Sequence, residues 1–79
     1  MDAPFGAVLR SHRKQRNLTQ KELAEMAGLS ERTIRRWETG QHRNPQIMSV
    51  QRVADALALE AAQRELLLVS ALPKPPGDG

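Results

Sequence analysis

Residues 31–37 read Glu-Arg-Thr-Ile-Arg-Arg-Trp. At helical spacing Ile34 and Trp37 share one face, which leaves Glu31, Arg32, Arg35 and Arg36 outward or flanking. Arg32 and Arg36 stand at i,i+4, where like charges repel and slightly destabilise a helix. Glu31 offsets Arg35 at the same spacing, but nothing on this helix offsets the other pair. A helix that tolerates this charge density expects anions outside it.

Other chemistries find little support. The chain has no cysteine and no tyrosine. Disulfides and thiolate metal sites are excluded, and an intracellular, cytoplasmic setting is favoured. There is no Gly-rich phosphate loop, no H-E-x-x-H and no pair of carboxylates bracketing a pocket. His12 and His42 stand far apart, and His12 reads as a part-buried histidine rather than a ligand. The expectation is therefore no enzyme, no cofactor and no metal. No apolar stretch approaches the ~20 residues of a membrane span, and no secretory signal opens the chain.

The chain has 79 residues, enough for one small core. Apolar residues are 39% and aromatics only 3%, which suits a helical bundle of Leu, Ala and Val. The net charge is +3, unevenly spread. Residues 1–45 hold nine bases against five acids, and residues 46–79 hold three against four. The basic half is the half that carries the arginine run, as a nucleic-acid footprint requires.

Five helices are expected to position these groups. Asp2 or Pro4 starts the first helix, and Pro4 suits an early helical position. Phe5, Val8, Leu9 and His12 then form a core stripe, with Arg10, Lys14 and Gln15 opposite. Asn17 can end this helix in the left-handed conformation. Thr19 and Glu22 form a capping box for a second helix, with Leu18 stapled against Leu23. Leu23, Ala24 and Ala27 share its inner face. Gly28 closes it and Ser30 caps the next, so two short helices meet at a tight glycine turn. The third helix runs from Glu31 to about Thr39 and Gly40 stops it. Trp37 shares the inward face with Ile34 and reads as core, not as a base-stacking ring. Pro45 disfavours helix at Asn44. A fourth helix follows over about Met48–Leu57, with Ser49 near its start as a cap. A fifth covers about Ala61–Leu72. Its Leu66, Leu67, Leu68, Val69 and Leu72 exceed one 3.6-period stripe. Residues 73–79, PKPPGDG, read as a flexible linker or tail.

The run LTQKELAEMAGLSERTIRRWETG resembles the helix-turn-helix of the xenobiotic-response-element family, the phage repressor and Cro-like DNA-binding domains. Gln20, Ala24, Gly28, Ile34, Glu38 and Gly40 sit at the family's spacing. The match runs from about Phe5 to Leu59 and weakly to Leu72. It implies an all-α, compact five-helix bundle over residues 1–72, with the helix-turn-helix at 20–40. It also implies that double-stranded DNA is the partner of a transcription regulator of repressor type, whose third helix enters the major groove. Glu31, Arg32, Arg35 and Arg36 fall where the family reads bases. Arginine meets O6 and N7 of guanine together, and Glu31 can accept from cytosine or orient Arg35. Gln20, Ser30, Thr33, Arg13 and Arg43 are implied phosphate contacts. Gln20 is also expected to brace the start of the third helix. Arg13 and Glu38 match a family pair that bridges the first helix to the end of the third. Ala24, Gly28, Ile34, Trp37, Glu38 and Gly40 are structural.

A different reading makes the chain a protein-interaction or antitoxin-type module using its apolar fifth helix. Leu67, Leu68 and Leu72 are then the interface, to a second copy on DNA or to a downstream domain. The run around Leu57 to Ala71 is similar to actinobacterial regulators in which such a domain precedes a sensor or ATPase domain.

Overall fold

The computed structural model describes residues 4–41 and 45–72. Asp2, His42, Arg43 and the expected linker 73–79 lie outside them. The described residues form five α-helices and no strand. These are α1 (Phe5–Gln15), α2 (Gln20–Ala27), α3 (Glu31–Glu38), α4 (Ile47–Ala56) and α5 (Ala61–Ala71).

Four of the five helices end in one way. Asn17, Gly28, Gly40 and Ala58 take positive φ of 55°, 72°, 78° and 53°. The next amide in each case reaches back five residues, Leu18 to Arg13, Leu29 to Ala24, Gln41 to Arg36 and Leu59 to Ala54, at 2.9–3.2 Å. This closure satisfies carbonyls that a helix end leaves orphaned. Asn17, Gly28 and Gly40 are residue types that tolerate it. Ala58 carries a Cβ into that region at a cost, between the fully buried Leu57 and Leu59, which packs against the core.

The helix starts are equally local. Pro4 is the residue before α1 rather than its first residue, and its carbonyl accepts from Ala7 and Val8. Thr19 Oγ1 accepts from the Glu22 amide at 3.0 Å while Glu22 Oε1 accepts from the Thr19 amide at 2.8 Å. Ser30 Oγ accepts from the Thr33 amide at 3.2 Å. α4 departs from the expected start. It begins at Ile47 behind Gln46, and Ser49 lies inside the helix instead of capping it. Pro45 is buried and fixes where the chain re-enters the bundle.

α2 packs against α3 and α4, α4 against α5, and α1 against α3 and α5. Leu9, Leu23, Ile34, Val50, Val53, Leu57 and Leu67 are the largest fully buried side chains. Leu18 packs against this core, as its place before the α2 cap requires. Trp37 is buried, with its ring edge-to-face on Phe5 at 5.5 Å and 63°. Arg16 donates to the Ala58 carbonyl at 3.2 Å, which ties the end of α1 to the α4–α5 connection, and Arg64 pairs with Asp55, which ties α5 to α4 at the surface.

Gly6 decides how closely α1 approaches α3. A Cβ there would lie 2.5 Å from the Trp37 carbonyl oxygen and 2.8 Å from that of Glu38. Both obstacles are backbone, so neither swings aside. Gly6→Ala is expected to lower stability by about 1–3 kcal/mol through overpacking. That outweighs the up to ~1 kcal/mol that alanine gains over glycine in a helix. Urea unfolding of the variant checks this. An unchanged or raised midpoint would contradict the close approach.

Candidate nucleic-acid interface

The turn fixes how α3 is presented. α2 ends at Gly28, Leu29 tucks partly into the core, and Ser30 starts α3. Ile34 and Trp37 are buried, which turns the opposite face of α3 to solvent. At about 100° per residue, Arg32 lies nearly opposite the buried direction, with Arg35 and Arg36 each about 50° to its sides. Glu31, Arg32, Arg35 and Arg36 are all exposed.

Two i,i+4 rows run across that face. In one, Arg35 Nη2 donates to Glu31 Oε2 at 3.2 Å, with both side chains well exposed. In the other, the Arg32 and Arg36 guanidinium groups make no hydrogen bond or ion pair with any described residue. The first row is neutralised within itself, and the second offers two cations to whatever lies outside. At the helix start the Ser30 and Thr33 hydroxyls hydrogen-bond each other at 2.9 Å.

The far end of α3 is clamped. Glu38 accepts from Arg13 Nε at 2.6 Å and Nη2 at 2.9 Å, and from the Gln20 amide nitrogen at 3.1 Å. Arg13 Nη1 donates to the Leu18 carbonyl at 2.8 Å. The Arg13 and Glu38 side chains are only 11% and 3% exposed. The hydrogen bond from Glu38 raises Arg13 above the ordinary guanidinium value, and the opposite charge adds to this while burial works against it. One carboxylate thus joins α1, α2 and α3.

Two expectations change here. Gln20 braces the end of α3, not its start. Both Gln20 and Glu38 lie remote from the turn, so the distant ends of the helix pair meet. Arg13 has three nitrogens engaged within the fold, so it is a covered structural arginine with little surface for a phosphate.

A helix-turn-helix family model matches residues 9–63 of the chain. A protein of Methanothermobacter thermautotrophicus described as an uncharacterised HTH-type transcriptional regulator is 42% identical over 53 residues. The shared region covers 67% of this chain and 75% of that protein. The chain belongs to the Cro/C1-type helix-turn-helix family. That family is one of DNA-binding transcription regulators.

Within this helix-turn-helix protein the apolar fifth helix divides sharply. Leu67 is fully buried and Ala71 nearly so. Leu67 is therefore a core residue, and its assignment to a partner surface is corrected. Five apolar residues stand close together in the sequence, and only packing selects which of them turn inward. Leu68 is half-buried, while Leu66, Val69 and Leu72 are exposed. Leu68, Val69 and Leu72 border a shallow groove shared with Ile47 and Ala61. No helix among the described residues is long and apolar enough to cross a membrane. The loop contact expected of Arg43 falls outside the described residues.

Proposed function

We propose that this chain is the DNA-binding domain of a repressor-type transcription regulator that places α3 in the major groove of duplex DNA. The observation that carries this reading is the Arg32–Arg36 row. Two guanidinium groups free of partners among the described residues stand one turn apart on a helix clamped at both ends. Base edges are met by Glu31, Arg32, Arg35 and Arg36. Ser30, Thr33, Gln20 and Arg43 meet phosphate and fix the register. Gln20 donates one amide hydrogen to Glu38 and keeps a second for a phosphate oxygen.

Reading and holding separate in two variants. Arg32→Ala should cost about 1–3 kcal/mol on the best duplex and relax preference at one base pair. Arg43→Ala should weaken all duplexes about equally and reduce the salt slope by roughly one unit. Arg32 is exposed and supports no core residue, so Arg32→Ala should keep its melting temperature. If Arg32→Ala weakens specific and random duplexes alike, Arg32 is an electrostatic contact and the base-reading role is wrong.

The exposed strip Leu66, Val69 and Leu72 favours one addition. Two copies pair weakly in solution and assemble on half-sites about one helical turn, roughly 34 Å, apart. Sedimentation should show a monomer alone and two copies on such a duplex. The double variant Leu66→Ser, Val69→Ser should lose the paired assembly and keep its fold. A tight dimer in that variant would place the interface elsewhere.

A further inference from the structure

The Arg32–Arg36 row is specific enough to restrict the sequence of the DNA. We infer that the half-site carries two guanines one or two base-pair steps apart, one met by Arg32 and the other by Arg36. This rests on the DNA-binding reading proposed above and adds to it the identity and spacing of the bases.

Three observations carry the inference. The first is availability. A guanine edge is read bidentately, which needs a fork with both arms free. Arg32 and Arg36 have such forks among the described residues, whereas Arg35 already donates to Glu31. The second is direction. Ile34 and Trp37 set the inward side, so Arg32 lies at the centre of the exposed face, the part of the helix that meets the groove floor when α3 enters with that face forward. Arg36 follows it along the same row. Phosphates line the walls of the groove, and base edges form its floor. The third is length. Four residues of helix rise about 6 Å. Stacked bases repeat every 3.4 Å along a strand. A helix lying along the groove runs oblique to the duplex axis, so its 6 Å projects onto one to two steps. Guanine is the base whose major-groove edge shows two acceptors side by side, and two cationic donors select it over adenine, which pairs a donor with an acceptor there.

The Glu31–Arg35 row sharpens the contrast. Its charges cancel within the pair, so it adds little net attraction for a second acceptor-rich edge. A carboxylate beside Arg35 also disfavours the acceptors of guanine. The two guanines are therefore expected on the Arg32–Arg36 line and not beside it.

The test is selection of bound duplexes from a random library with the whole chain at about 50 mM salt. The selected sites should show two dominant G·C pairs, adjacent or separated by one pair. Selection with Arg32→Ala should lose preference at one of them, and with Arg36→Ala at the other. Replacing each guanine in turn by 7-deazaguanine removes one acceptor, and each replacement should weaken the wild type about 5- to 150-fold. Both variants alter exposed side chains, and their unfolding curves verify that they are folded. Enriched sites without such a pair, or an Arg36→Ala variant that still selects both guanines, would overturn the inference while leaving DNA binding intact. No enrichment and no binding at low salt would overturn the DNA reading and this inference with it.

Discussion

Glu38→Ala should destabilise the domain by about 3 kcal/mol. Removing one partner of a covered ion pair typically costs about 3–5 kcal/mol, because the other charge is left uncompensated. The lower end applies because the Arg13 guanidinium is covered near the surface and not deep in the core. The variant loses three hydrogen bonds at once, two from Arg13 and one from Gln20. Arg13 keeps only the Leu18 carbonyl. A chain of 79 residues has on the order of 4–12 kcal/mol in total. One side chain therefore removes a large share of it. Replacing both partners by apolar residues, Arg13→Met with Glu38→Leu, should recover much of the loss, since no charge is then stranded. Denaturant unfolding of the wild type, Arg13→Met, Glu38→Leu and the double variant measures the coupling, with Glu38→Ala measured beside them. A Glu38→Ala loss below about 1 kcal/mol would reduce the pair to an ordinary surface salt bridge.

Much of the fold was legible because its signals are local. Thr19 with Glu22, Gly28, Ser30 and Asn17 each act within one turn of the chain, and each was found in its expected role. Ala58 gave no such signal. Alanine carries no preference for the left-handed conformation, so only the packing of α4 on α5 puts it there. Gly6 was equally silent. A glycine within an apolar helix start does not announce that a neighbouring helix end lies 2.5 Å from where its Cβ would be. Ser49 misled in the other direction. A good capping residue lay near the helix start, but behind Pro45 the helix begins at Ile47 with Gln46 as its cap, three residues before Ser49.

The site divides along the same line. Arg32 and Arg36 could be placed outward because Ile34 and Trp37 fix the inward direction within one helix. The partner of Gln20 could not be read, since Glu38 lies 18 residues away and meets it only when α2 and α3 close. The division of α5 was also hidden. Periodicity asks for one stripe, and five apolar residues supply more than one. Leu67 wins the core, and Leu66 and Val69 stay outside.

The strongest dependence expected of this domain is on salt. Its basic excess lies in the half that holds α3, and the Arg32–Arg36 row is not neutralised internally. Binding that neutralises phosphates releases counterions, and the slope of log affinity against log salt is about −0.9 per phosphate. One domain of this kind should give a slope of roughly −3 to −5, a fall of roughly 60- to 1,000-fold between 50 and 200 mM salt. Specific contacts to base edges add affinity without steepening the slope. The direct measurement is a fluorescence anisotropy titration of the selected duplex across that range. The account predicts binding at 50 mM salt with a slope of roughly −3 to −5. A slope near zero, or no binding at the lowest salt, would contradict it.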